Sequence, residues 1–322
     1  MTFDVLTPSA WLAHLMEFDK CGEYLTDGGS LIRIASTSDV AAHEQLSDAL
    51  SARAEVSQTQ LLSISRDNCD KLQYPHKIVA TLGEQVDLTV LFRGCASEVW
   101  RRLGYPSIGV TARDVSERHG GSLMDLRSDF RAEVRRMFDS GPDLSRDFRS
   151  AIPRVLEGVI DGPPQERLVI GQFQSFLCGT LSARDLFQFG IQKKVCRETA
   201  TSTLRNFLAL FAFANRNGVL LHVDLRWITD HDLVSADGRA VFAPTKQARV
   251  WVYQWIRELI DGLDRFSSTF LVIEFGSSFQ DPSFAGRGWG LYDALRLRLQ
   301  DGVHPVDGGQ NPSAPFVALG SG

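Results

Sequence analysis

The sequence lacks a long apolar segment. Its apolar runs are interrupted well before the roughly 20 residues that a membrane-spanning helix needs. The first residues also lack a basic region followed by an apolar stretch, so we expect no secretory signal. Hydrophobic residues make up 43% of the 322 positions and charged residues 23%, which is typical of a globular chain and excludes a disordered or fibrous one. We therefore expect a cytoplasmic protein without a membrane segment.

Cysteine and excess positive charge are also scarce. The five cysteines form no C-x-x-C pair, which argues against a zinc site or a disulfide framework and favours reduced thiols. The net charge is −5, so charge alone does not indicate a nucleic-acid-binding protein. Two basic pairs, Arg101-Arg102 and Arg135-Arg136, could form local patches, but a solvated helix face is the commoner explanation for such pairs.

Short apolar runs between turn signals predict a parallel α/β sheet. The predicted strands cover 30–36, 60–66, 219–225, 269–275 and 314–319. A helix over 39–53, with Ser38 or Asp39 as its amino-terminal cap, joins the first two strands. This strand–loop–helix–strand order is the opening of a parallel α/β domain.

Residues 74–217 are predicted to form a mostly helical layer or insertion between sheet strands. Candidate helices in this stretch cover about 76–103, 121–139, 143–160, 166–178, 182–188 and 193–217. Its aromatic side chains favour a core or a subunit interface over a base-stacking surface; they are Phe173, Phe176, Phe187, Phe189, Phe207, Phe211 and Phe213. After it, we expect helices over 244–263 and 289–300 and a hairpin over 233–242 around Asp237-Gly238.

The loop between the first predicted strand and its helix is the first place where chemistry could lie. In P-loop NTPases, glycines of G-x-x-x-x-G-K-[ST] let backbone N–H groups surround the phosphates, the lysine neutralises them, and the hydroxyl holds Mg²⁺. Here residues 35–43 contain neither glycine nor lysine. Asp39 would put negative charge where the phosphates would lie, and the β-branched Val40 resists the positive φ that glycine supplies. Taken alone, the segment predicts a strand, a turn and a helix.

The predicted strand 219–225, VLLHVDL, is the second such place. Its apolar residues followed by Asp224 suit a Walker B strand, whose aspartate holds Mg²⁺ through water. The glutamate that would follow as the catalytic base is replaced by Leu225. Many strands end in aspartate for turn reasons alone, so the motif is weak by itself. His222 and Asp224 share one strand face, which predicts a site or, more commonly, a satisfied local pair.

The order of these segments resembles the ATP-binding proteins of BREX phage-defence loci, a branch of the AAA+ ATPases related to origin-recognition proteins. The resemblance covers most of the chain and is carried by residues 30–50, 60–82, 173–191 with 204–230, and 270–302, followed by a similar tail over 311–319. Its most specific feature is the spacing of Gly288, Tyr292, Leu295, Arg298 and Leu299.

The resemblance implies an α/β, P-loop NTPase-like (AAA+-like) parallel sheet: one degenerate domain over 1–322, with 74–217 as a helical insertion. The lid and winged-helix regions of the family are expected to be absent or supplied by a partner. Ala41 stands where the family has the P-loop lysine, Ala42 where it has Ser/Thr, and Leu225 where it has the catalytic glutamate. Losing the phosphate cradle, the lysine and the base together predicts no catalytic residues and no ATP hydrolysis.

Any nucleotide that is still bound would be held by the residues that remain at the family's positions. These candidates are Ser36, Ser38, Asp224 and Arg298. We expect no metal site, except that Asp224 would be the ligand if Mg²⁺ were bound.

The implied function is that of a pseudo-ATPase: a non-catalytic subunit or scaffold of a prokaryotic antiviral defence complex. It would use no cofactor and would dock an active ATPase, helicase or nuclease, with DNA contacted through the complex. The alternative is a nucleotide-binding or weakly active AAA+ ATPase that uses ATP and Mg²⁺ and acts on DNA. A nucleic-acid-binding module and an unrelated α/β protein stay open as further alternatives.

Overall fold

The structure is a computed structural model that forms two compact units. The sheet unit comprises Met1–Ile78 and Asn217–Gly322, and the helical unit comprises Val79–Arg216. The residues that the structure describes are 6–17, 20–105, 110–140, 144–214, 217–230, 244–280, 288–300 and 310–321. The predicted hairpin over 233–242 lies outside them.

Five parallel strands form the centre of the sheet unit, as the apolar runs predicted. They are β1 (Ser30–Thr37), β2 (Gln60–Ile64), β3 (Val219–Asp224), β4 (Thr269–Gly276) and β5 (Phe316–Leu319). Their order in the sheet is β2-β3-β4-β1-β5, and every pairing is parallel. All residues of β3 and β4 are buried, which explains why these strands are nearly continuous apolar runs.

Helices cover both faces of this sheet. Those of the sheet unit are α1 (Pro8–Glu17), α2 (Cys21–Thr26), α3 (Val40–Ser57), α12 (Arg226–Thr229), α13 (Lys246–Asp261) and α14 (Asp293–Gln300). Leu46 and Leu50 of α3 share a core cluster with Ala35 and Val272 of the strands. On the opposite face, Tyr253 of α13 contacts the ring of Phe275 at 5.9 Å between centroids.

The helical unit lies between β2 and β3 in the sequence. The helices of this stretch are α4 (Pro75–Gln85), α5 (Leu88–Arg102), α6 (Ala112–His119), α7 (Leu123–Ser140), α8 (Arg146–Asp161), α9 (Gln165–Leu177), α10 (Ala183–Phe189) and α11 (Arg197–Phe213). The single helix predicted over 76–103 is wrong, because the chain ends one helix at Gln85 and starts another at Leu88. Asp87 causes the restart: its side chain accepts a hydrogen bond from the backbone N–H of Val90 at 3.1 Å and caps α5.

Aromatic side chains fill the core of the helical unit. Phe173 is fully buried and contacts Phe92, Phe148 and Phe176 with ring centroids 5.0–5.9 Å apart. Six of the seven phenylalanines noted in the sequence are buried, whereas Phe187 is 85% exposed. None of the helices within the described ranges combines the length and the apolar character needed to cross a membrane.

We expect the turn before β3 to require glycine. Gly218 has a φ of 108°, and a Cβ atom there would collide with the carbonyl oxygen of Ser268, which accepts the hydrogen bond from Val219. Gly218→Ala should therefore destabilise the protein by about 2 kcal/mol. The control is Gly171→Ala in α9, where a Cβ meets no neighbouring atom and should stabilise the helix by about 0.5–1 kcal/mol. Denaturant unfolding measures both, and equal midpoints for the two variants would contradict the assignment.

Candidate functional site

The register of the sheet gathers polar side chains at its carboxyl edge. Asp224 of β3 lies opposite Glu274 of β4, and Glu274 lies opposite Ala35 of β1. Because side chains alternate between the two faces of a strand, His222, Asp224, Glu274 and Thr37 all point to the same face. This is the face that α3 covers, so the first turn of α3 faces these side chains.

Glu274 is the centre of the group. Its side chain is fully buried, and Thr37 Oγ1 donates a hydrogen bond to Oε1 at 2.7 Å. His222 Nε2 lies 2.9 Å from Oε2, and His43 Nδ1 lies 2.9–3.0 Å from both oxygens. A buried carboxylate needs such partners, since an ionised group without them is strongly disfavoured away from water.

The two imidazoles keep this carboxylate ionised. Burial alone would raise the pKa of Glu274, but the hydrogen bonds from His222 and His43 outweigh it and lower the pKa to about 2. Glu274 therefore carries a negative charge at neutral pH in spite of its burial.

Asp224 is held by an arginine two residues further along the chain. Arg226 Nε donates to Asp224 Oδ1 at 3.0 Å and Nη2 donates to Oδ2 at 2.8 Å, which is a bidentate pair. The Arg226 Nε also lies 3.5 Å from Glu274 Oε1. Burial would lower the pKa of Arg226, but the hydrogen bonds with Asp224 and its charge raise it instead. One cation therefore lies against both carboxylates.

A third carboxylate, that of Asp39, closes the amino terminus of α3. Only Ser38 and Asp39 separate β1 from this helix. Asp39 Oδ1 accepts a hydrogen bond from the backbone N–H of Ala42 at 2.8 Å, and Oδ2 accepts from Ser38 at 2.7 Å and from Ser321 at 3.1 Å. The Ala42 hydrogen bond, followed by that from Ser38, lowers the pKa of Asp39. The anion-binding end of the helix is thus occupied by the protein's own carboxylate.

The four nucleotide-binding candidates do not converge. Asp224 lies beside His43 and Glu274, and Ser38 donates a hydrogen bond to the capping residue Asp39. Ser36 is buried on the opposite face of the sheet from Glu274, because it is one residue from Ala35 and Thr37 in β1.

Arg298 is the fourth candidate and lies in a different setting. Its Nε donates to Asp261 Oδ1 at 2.8 Å. Asp261 ends the helix that leads into the start of β4, whereas Glu274 lies near the end of that strand.

The sequence did not predict several central residues of the site. Glu274, His43, Thr37 and Arg226 were not among the candidates, and His222 was paired in the prediction with Asp224 rather than with Glu274. One signal was available: Glu274 is the single charged residue in an otherwise apolar run, TFLVIEFG. A charge inside a buried strand demands a partner.

Chemically, the site combines two carboxylates, two imidazoles and one guanidinium. Within the described parts of the chain, His43, Asp224 and Glu274 are the group of side chains that could hold a metal ion. The two carboxylates and Asp39 make this edge of the sheet unfavourable for a polyphosphate.

We expect the stability of the metal-free protein to depend on Glu274 in acid. A pKa lowered from 4.5 to about 2 contributes stability above pH 4.5, and this contribution is lost as the pH falls toward about 2. The shift corresponds to about 3 kcal/mol. Glu274→Gln should lose that contribution, so its difference from wild type in unfolding free energy should shrink between pH 4.5 and about 2.

The measurement is denaturant unfolding in EDTA across this pH range. Glu44→Gln is the matched control, since Glu44 is an exposed carboxylate beside His43 on α3. A difference between wild type and Glu274→Gln that does not change with pH would contradict the assignment.

Comparisons of the chain with protein-family models, with curated proteins and with solved structures give no match. The fold and the site geometry are therefore the observations from which a function can be inferred. The residues of the candidate site lie in the sheet unit.

Proposed function

We propose that the protein is a pseudo-ATPase: a P-loop NTPase-like domain that acts as a non-catalytic subunit or scaffold. The observation that carries the proposal is the Asp39 carboxylate on the amino terminus of α3, the position at which a P-loop protein binds phosphate. A nucleotide would have to displace this cap and also overcome repulsion from Asp224 and Glu274.

The strand order supports the AAA+-like part of the proposal. β4 lies between β1 and β3, so the strand that resembles the sensor strand separates those that resemble the P-loop and Walker B strands. The three carboxyl ends meet at one edge of the sheet, where an active relative would bind its nucleotide.

The connection between β1 and α3 supports the loss of catalysis. A phosphate-binding loop needs several residues with exposed backbone N–H groups, and glycines that adopt positive φ. Two residues join β1 to α3 here, and Asp39 has an extended backbone with a φ of −158°. This short turn has no room for a loop that surrounds a phosphate.

The alternative, a nucleotide-binding or weakly active ATPase that acts on DNA, is favoured by the position of Asp224 at the end of β3. The Asp39 cap on α3 counts against it, because this carboxylate occupies the helix end at which nucleotide phosphates would bind. The basic helix residues also do not favour DNA. Arg101 and Arg102 both pair with Glu98 on their own helix at 2.6 and 2.9 Å.

The scaffold part of the proposal rests on the resemblance to BREX-type ATP-binding proteins. A domain that has lost its catalytic residues but keeps a fully packed sheet can still present surfaces to a partner. The partner class would be an active ATPase, helicase or nuclease of an antiviral system, and DNA would be contacted through that complex.

We expect no ATP binding and no turnover by the purified protein. Calorimetry with millimolar Mg·ATP should give no saturable heat, and phosphate release should match the background. Asp224→Asn should behave as wild type does, and so should the control Asp48→Asn, which removes an exposed carboxylate on α3. Turnover that Asp224→Asn abolishes and Asp48→Asn retains would contradict the pseudo-ATPase proposal.

The scaffold role predicts a specific partner. Capture of the tagged protein from its native host, followed by mass spectrometry and an ATPase assay, should recover a helicase, nuclease or intact ATPase. The turnover of the eluate should belong to that partner and should be unchanged by Asp224→Asn in this chain. Recovery of the protein alone would contradict the scaffold role.

A further inference from the structure

Three ligand atoms from three different elements converge at the carboxyl edge of the sheet. They are a ring nitrogen of His43 on α3, a carboxylate oxygen of Asp224 at the end of β3, and a carboxylate oxygen of Glu274 on β4. All three atoms lie within 4.8 Å of one another. His43 and Glu274 are more than 200 residues apart in the sequence, so only the fold brings them together.

The spacing of the His43 and Glu274 atoms suits a shared cation. Ligand atoms that bind one zinc-sized ion at about 2.0–2.2 Å lie about 3 Å from each other. His43 Nδ1 lies 2.9 and 3.0 Å from the two oxygens of Glu274. An ion could therefore enter between the imidazole and the carboxylate with little movement of either.

The surrounding side chains hold both carboxylates in place. His222 and Thr37 donate to Glu274, and Arg226 donates three hydrogen bonds to Asp224, one from its backbone N–H and two from its guanidinium. A carboxylate has about four lone-pair positions, so both keep acceptor capacity for an ion. Ligating carboxylates in metalloproteins are themselves hydrogen-bonded in this way. Arg226 repels a cation, but two carboxylates exceed its charge by one.

The site is also accessible. The side chain of His43 is 23% exposed, whereas that of Glu274 is fully buried. An ion would enter past His43 and keep outer coordination positions toward the solvent, as at open metal sites. The donor set of one imidazole and two carboxylates favours divalent transition ions such as Mn²⁺, Fe²⁺ or Zn²⁺ over Cu(I), which prefers sulfur.

We propose that His43, Asp224 and Glu274 bind a divalent transition-metal ion. The site does not depend on a nucleotide and goes beyond the proposed scaffold function. The metal-free arrangement differs from the metal-bound one in the position of the His43 ring proton. Without an ion, Nδ1 donates a hydrogen bond to Glu274. With an ion on Nδ1, that nitrogen must present its lone pair, so the proton of the neutral ring lies on Nε2 instead.

The test is calorimetric titration of the EDTA-stripped full chain with MnCl₂ and, in parallel, with ZnCl₂. We expect one ion per chain and an affinity that falls at least about tenfold in His43→Ala. His119→Ala is the matched control, because it removes an exposed imidazole from α6 and should leave binding unchanged.

Folding of the variant is checked by circular dichroism. His43→Ala should fold, because the side chain is partly exposed and alanine favours a helix. If it does not, His43→Gln keeps a donor for Glu274 but is a weak metal ligand, and it takes the place of the alanine variant. Absence of saturable Mn²⁺ and Zn²⁺ binding to wild type would overturn the proposal. Wild-type affinity in the folded His43 variant would overturn it as well, since the ion would then be bound elsewhere, for example at cysteines. No nucleotide is present, so either result leaves the ATP experiments to decide the pseudo-ATPase proposal separately.

Discussion

A buried negative charge is the constraint on which the carboxyl edge of the sheet depends. Glu274 lies in a strand whose residues are all buried, so its charge must be compensated locally. Thr37, His43 and His222 meet that need from β1, α3 and β3. The same carboxylate therefore fixes the first turn of α3 relative to three strands, and replacing it by an apolar residue would leave several polar groups without a partner.

The strands and most helices could be predicted because their signals are local. Apolar runs between turns predicted all five strands. The cap of α3 in the structure is Asp39, one of the two residues that the sequence predicted. The break between α4 and α5 was missed because the apolar periodicity continues through Val86 while a single capping residue, Asp87, restarts the helix. A local hydrogen bond overrode the periodic pattern there.

The site could be predicted only in part because it is defined by register, which is a long-range property. Asp224 was recognised from its place at a strand end. Its neighbour Glu274 comes opposite it only through the pairing of β3 with β4, and His43 approaches only because α3 folds back over the sheet. The same register turns Ser36 to the opposite face, so a residue that is close in sequence is remote in the site.

The insertion of the helical unit between two adjacent strands has a consequence for folding. Pairing Gln60 of β2 with Val219 of β3 closes a loop of roughly 160 residues. Closing such a loop costs about 2.5 kcal/mol more than closing one of ten residues, if the intervening chain is flexible. The helical unit has its own local contacts and can order first, which shortens the flexible loop that remains. The sheet is then the late event of folding, and the polar cluster at its edge can assemble only when that step is complete.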